Sequence, residues 1–167
     1  MPMHMLNHHR VLAFDIRPSR LSYCVLEGPQ TALDWGTTVF DKRPHAVKVA
    51  VPVKASQLFS EWQPHVVVLK ASDDRRSMRH AQLVKNKVQA AGITMSLLTD
   101  DAIRAAFPGR KKHERVTAVA ELLPMLAPAV PPKRKFSNSE FYRTSFFEAA
   151  AVALAYFMRL QSEKQIA

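Results

Sequence analysis

Glycine is scarce in this chain, with four in 167 residues. None lies in DIRPSRLSYCV (15–25), the stretch after the first apolar run, so that turn is not a glycine hairpin that cradles phosphate. There is one cysteine, Cys24, which excludes an internal disulfide and reads as a small core residue in a reducing compartment. Acids are short as well: fourteen Asp and Glu stand against twenty-four Lys and Arg, a formal charge of +10. No apolar run approaches the roughly 18 residues a membrane span needs. The opening MPMHMLNHHR lacks the apolar segment of a signal peptide, which points to the cytoplasm. Residues 1–9 read as a disordered leader, and 162–167 as a tail. Three histidines of the leader, His4, His8 and His9, have metal-ligand chemistry, but a frayed segment accounts for them without a metal.

What is present is a core. Apolar residues make up 47% of the chain, enough for one compact domain over 10–161. A positive excess of this size favours a polyanionic partner, nucleic acid before an acidic membrane surface. Strand-like runs at 10–16, 20–27 and 31–40, joined by RPS and EGPQ, predict an antiparallel meander. A helix over 44–61 and a β-branched strand over 64–70 follow. Next come a helix over 77–92 ending at Gly92, a strand at 93–98, and a helix from the N-cap Thr99. A helix over 113–126, a Pro/Lys-rich loop over 127–140 and a buried helix over 143–161 complete an α/β domain with a five-stranded mixed sheet.

Two acids look misplaced. Asp15 ends the apolar run VLAFDI, and Glu148 stands alone in TSFFEAAAVALAYF, where an unpaired carboxylate costs several kcal/mol. They share a divalent-cation site or pair with separate basic residues, and the isolated residues leave both open.

The order of elements resembles the RuvC Holliday junction resolvases, which have the ribonuclease H-like fold. FDIRPSRLSYCVLE (14–27) is similar to that family's opening hairpin, and TDDAIRAAFPGRKKHERVTAVAELLP (99–124) to its basic loop and helix. FEAAAVALAYF (147–157) is similar to its closing helix. In that family four acids hold two Mg²⁺ ions that activate water and stabilise the leaving oxygen. The resemblance implies catalytic positions at Asp15, Lys70, Ser145 and Glu148, of which only Asp15 and Glu148 keep a metal-binding carboxylate. Lys70 stands where the family has an acid, and so does Ser145. An ammonium at that point repels a metal, so Mg²⁺ is expected to bind poorly, with Lys70 pairing with Asp15 or Glu148 instead. Asp73, Asp74 and Glu140 are spare acids within sequence reach.

Three basic clusters follow the elements that this fold brings to the acids. They centre on Arg75, Arg76 and Arg79; on Arg110, Lys111 and Lys112, with Arg104, His113 and Arg115 nearby; and on Lys133, Arg134 and Lys135. Phosphate contacts from such clusters orient nucleic acid without reading its sequence. Phe141 and Tyr142 are candidates to stack on a base. The expected function is a nucleic-acid-binding protein with a degenerate metal site, acting on branched or structured DNA in recombination or repair. The alternative is an active Mg²⁺-dependent endonuclease of junction-resolvase type. A homodimer stays open. The ATPases that share the core fold need a glycine hairpin this chain lacks.

Overall fold

The computed structural model describes residues 3–41, 43–109, 111–131 and 145–166. Its centre is one five-stranded sheet in the order β3-β2-β1-β4-β5. Strands β1 (Arg10–Arg17), β2 (Arg20–Glu27) and β3 (Ala32–Val39) form the antiparallel meander, and β4 (Val66–Lys70) and β5 (Thr94–Leu98) join it in parallel. The first two strands meet in a tight hairpin, with Arg17 opposite Arg20. β1 and β4 pair from Val11↔Val66 to Phe14↔Leu69, as the buried runs 11–16 and 64–70 require.

Side-chain alternation divides the core into two layers. Leu12, Phe14 and Ile16 of β1, with Val67 and Leu69 of β4, face helices α2 (Pro44–Trp62) and α3 (Arg75–Ala90). Val11 and Ala13 of β1, with Val66 and Val68 of β4 and Cys24 and Leu26 of β2, face α6 (Phe146–Ile166). Every residue from Phe146 to Phe157 is buried. The sheet lies on one side of this helix, and α4 (Asp100–Ala106) and α5 (Lys112–Leu122) pack on its other side. Its run of alanines permits that double contact, because small side chains let both neighbours approach closely.

Local signals set the boundaries. Thr99 caps α4 by accepting from the Ala102 N–H at 3.1 Å, and Asp74 caps α3 by accepting from the Ser77 N–H at 2.8 Å. Gly92, at φ 67°, follows the end of α3.

Three expected boundaries differ. The helix expected over 113–126 ends at Leu122, and Pro124 opens a 3-10 turn, Pro124–Ala129, because its ring cannot continue the α-helical ladder. That turn takes the start of the loop expected over 127–140, whose part from 132 onward lies outside the described residues. The last helix begins at Phe146 and continues through Ile166, so the expected tail is helical up to that residue. The leader is packed rather than frayed. A short helix α1 (Met3–Leu6) buries Leu6, and the Gly28 N–H donates to the His9 carbonyl at 3.0 Å. Gly28 sits at φ 70°, and a Cβ there would lie 2.9 Å from the Asn7 Cα, so only glycine admits the leader so close.

Candidate functional site

The alternation that builds the α6-side core also sets the site. Continuing the odd positions of β1 beyond Val11 and Ala13 brings Asp15 to that face, and the even positions of β4 bring Lys70 there. Ser22 lies opposite Asp15 across the hairpin, on the same face as Cys24 and Leu26. From above, Ser145 and Glu148 descend at the start of α6, one helical turn apart. The N-terminal end of a helix suits a carboxylate, which offsets the positive pole there.

Glu148 is almost wholly buried and faces two cations. Its Oε2 accepts from Arg115 Nη1 at 3.3 Å, and the Lys70 ammonium lies 4.0 Å away. Lys70 also reaches Asp100 at 3.3 Å, and Asp100 is bound by Arg104 at 2.7 Å, one turn along α4. Burial disfavours the ionised Asp100 carboxyl, but Lys70, Arg104 and Arg115 outweigh it and hold its pKa below the usual carboxylate range. Asp15 is paired with Arg17, whose Nε lies 3.3 Å from Oδ2. Arg20 stands within electrostatic range of both Asp15 and Glu148.

The position three residues before Glu148 has hydroxyl chemistry. Ser145 Oγ lies 2.6 Å from Ser22 Oγ and 2.9 Å from Thr37 Oγ1, and these two are 3.2 Å apart. The three hydroxyls form a closed triangle that ties the start of α6 to β2 and β3.

The structure thus brings Lys70, Ser145 and Glu148 together with the β1–β2 hairpin that carries Asp15. The pairing of Lys70 differs from expectation in one respect. It sits on Glu148 and Asp100, while Arg17, next but one along the same strand, takes Asp15. Two of the spare acids do not fill the gaps: Asp74 is committed to capping α3, and Asp73 is exposed beside it. Glu140 lies outside the described residues.

Among the described residues this donor set does not fit a two-metal centre. Three carboxylates, Asp15, Asp100 and Glu148, face five cations, Arg17, Arg20, Lys70, Arg104 and Arg115. A divalent ion about 4 Å from an ammonium is repelled by roughly 8 kcal/mol at an effective dielectric near 20. Among the described residues no three His, Cys, Asp or Glu side chains cluster as a metal site would.

Of the basic clusters, Arg75, Arg76 and Arg79 are exposed in the first turns of α3. The His80 ring nitrogen Nδ1 lies 3.4 Å from the Arg17 carbonyl, so α3 packs beside the end of β1 that carries Asp15. Lys111 is exposed just before α5, where its N–H donates to the Glu114 carboxylate at 2.7 Å. Arg110, Lys133, Arg134, Lys135, Phe141 and Tyr142 lie outside the described residues, as does the Lys112 side chain. Arg115 does not belong to the solvated face that its neighbours suggest. It is buried on the same side of α5 as Ala118 and Val119, which lie three and four residues on.

No protein-family model and no curated protein matches the sequence. Solved structures do. Thermus thermophilus RuvC in complex with a Holliday junction substrate aligns at TM-score 0.69 and 15% identity, over 93% of this chain and 97% of that one. The yeast mitochondrial Holliday junction resolvase Ydc2 aligns at TM-score 0.65 and 17% identity, over 93% of this chain and 80% of that one. The chain has the RuvC fold. A more distant structure, the fowlpox virus resolvase with substrate Holliday junction DNA, aligns at TM-score 0.55 and 11% identity, over 90% of this chain and 98% of that one. Order and pairing of the strands are those expected of a divergent RuvC-like, ribonuclease H-like domain. Among the described residues no helix is long and apolar enough to cross a membrane.

Proposed function

We propose that this RuvC-like chain binds branched or structured DNA, in recombination or repair, and grips it without cutting. The observation that carries this reading is the state of Glu148, whose carboxylate is engaged by Arg115 and Lys70 where a metal-dependent nuclease needs free ligands. Support for a DNA partner comes from the charge of +10 and from the fold shared with proteins solved on Holliday junctions. The exposed arginines of α3, beside the end of β1, supply backbone contacts on the flank of the site. Asp15 and Glu148 then serve to hold the arginine and lysine side chains in place.

The test is a paired binding and cleavage assay on four-way junctions, flaps and hybrids with Mg²⁺ or Mn²⁺, with Asp15→Asn run alongside. Junction binding without cleavage is the expected result. Metal-dependent cleavage that disappears in Asp15→Asn overturns the reading in favour of an active structure-selective endonuclease. Failure to bind any nucleic acid at low salt removes both.

A further inference from the structure

Two buried atoms in this site have no partner among the described residues: Arg20 Nε and Arg115 Nε. A buried N–H on a charged group left unpaired is costly, and native structures keep few of them. Both guanidinium groups lie within range of the Glu148 carboxylate, and the Lys70 ammonium stands 4.0 Å from it. With five cations against three carboxylates, the cluster is short of negative charge.

We propose that this cluster takes one backbone phosphate of a nucleic acid directly on Arg20, Lys70 and Arg115, with no metal ion between protein and phosphate. The proposal rests on the DNA-binding reading above and adds the contact that replaces the metals. A phosphodiester suits the site for three reasons. It stays a monoanion at any physiological pH, so it supplies negative charge without competing for protons. Its two free oxygens accept from a guanidinium fork and an ammonium at once. It also arrives on a polymer whose flanking phosphates can lie along the exposed Arg75, Arg76 and Arg79 of α3, beside the same end of β1. Asp15, paired with Arg17, and Glu148, paired with Arg115, orient the cations and limit their charge so that the fold tolerates them unliganded.

The test scans single neutral methylphosphonate linkages across the branch point of a labelled four-way junction, with binding read by anisotropy in EDTA. Wild type is compared with Arg20→Gln and with Arg115→Lys, which keeps a charge opposite Glu148 but loses the fork, and thermal melts confirm that each variant is folded. At one or two linkages neutralisation should weaken wild-type binding about tenfold, the loss of a charge-assisted hydrogen-bond pair. At those same linkages the penalty should fall below about twofold in both variants, because the partner of the phosphate is already gone. Equal penalties in wild type and variants overturn the proposal while leaving DNA binding intact, and so does binding that requires a divalent ion. Inorganic phosphate titrated into the protein alone separates the other source of this chemistry. Micromolar binding of that ion without any linkage coupling assigns the site to free phosphate and also overturns the proposal. A wild-type protein that binds no junction at all overturns the DNA-binding reading, and this contact with it.

Discussion

The Arg115–Glu148 pair is nearly enclosed, so its energetics differ from those of an exposed ion pair such as Arg43–Asp41. Both ions have lost most of their water, and each depends on the other for compensation. Arg115→Leu should therefore destabilise the fold by about 3 kcal/mol or more, since Lys70 at 4.0 Å is then the nearest cation left to Glu148 among the described residues. Adding Glu148→Leu should restore stability to within about 1 kcal/mol of wild type, because a well-packed apolar pair replaces the ions. A double-mutant cycle in urea checks this, and additive losses would show that the two side chains are independent. The same residues govern metal affinity. Lys70→Glu removes the repelling ammonium and adds a carboxylate beside Glu148 and Asp100, and Ser145→Asp adds another at the start of α6. Affinity for Mg²⁺ or Mn²⁺ should rise with each substitution in a calorimetric titration, while stability without metal falls through repulsion among the acids. Tight two-site binding by the unchanged protein would show that its carboxylates are free to ligate after all.

At the scale of elements, the leader makes a pH-dependent contact. His9 is buried against the middle of α6, with its ring 5.4 Å from His65 and its Nε2 3.4 Å from the Tyr156 hydroxyl. Burial first, and then the neighbouring His65, depress its pKa below the usual histidine value of about 6.5. The folded state thus favours neutral His9, and the unfolded chain takes up a proton first as pH falls. Stability from this contact is complete above about pH 6.5 and is lost as pH falls towards the lowered folded pKa. Protection factors of the amides at residues 4–9, with the intrinsic pH dependence of exchange divided out, should fall between pH 7.5 and 5.5, and His9→Phe should remove that dependence. Protection that does not change with pH would show that the leader is held by Leu6 and Gly28 alone. Neither the packing of the leader nor the inner half of the site was legible in the sequence, for related reasons. The strands were readable because each is a short, largely apolar run bounded by polar or turn residues, and α6 because its apolar surface goes all the way round. The leader shows no such periodicity, since its contacts are to the distant Gly28, His65 and Tyr156. Asp15 and Glu148 stood out as lone acids in apolar runs, and Lys70 and Ser145 were marked by the resemblance to the resolvase family, which has acids at those positions. Arg115 and Asp100 lie in polar stretches that look solvated. The signal for Arg115 was there: Ala118 and Val119, three and four residues on, put it on the buried face of α5. Nothing local marks Asp100, whose placement beside Lys70 follows from β4 and β5 pairing in parallel with Lys70↔Leu98 in register.

For the whole molecule the charge of +10 is the dominant electrostatic fact, and the structure distributes it unevenly. Arg17, Arg104 and Arg115 of the site are tied to carboxylates, so they add little long-range field. The arginines at the start of α3 are exposed and form no ion pair among the described residues, so under the proposed function they are the side chains that attract a polyanion. Binding to a junction should therefore weaken linearly in the logarithm of salt concentration, as condensed counterions leave the DNA. Each phosphate contact contributes a slope of about 0.9, so replacing Arg75, Arg76 and Arg79 together with Gln should flatten it by about 2 to 3. The loss should be similar for every DNA sequence, because backbone contacts carry no base information. Stability should change by less than about 0.5 kcal/mol, since these side chains face solvent and the Asp74 cap remains. Arg20→Gln is expected to behave differently, weakening binding strongly at one point of the junction while lowering the slope by about one unit at most. If the α3 triple variant leaves the slope unchanged, the outer track lies elsewhere on the surface. If Arg20→Gln and the triple variant prove indistinguishable at every linkage, the division of the positive charge into an outer track and an inner seat is wrong.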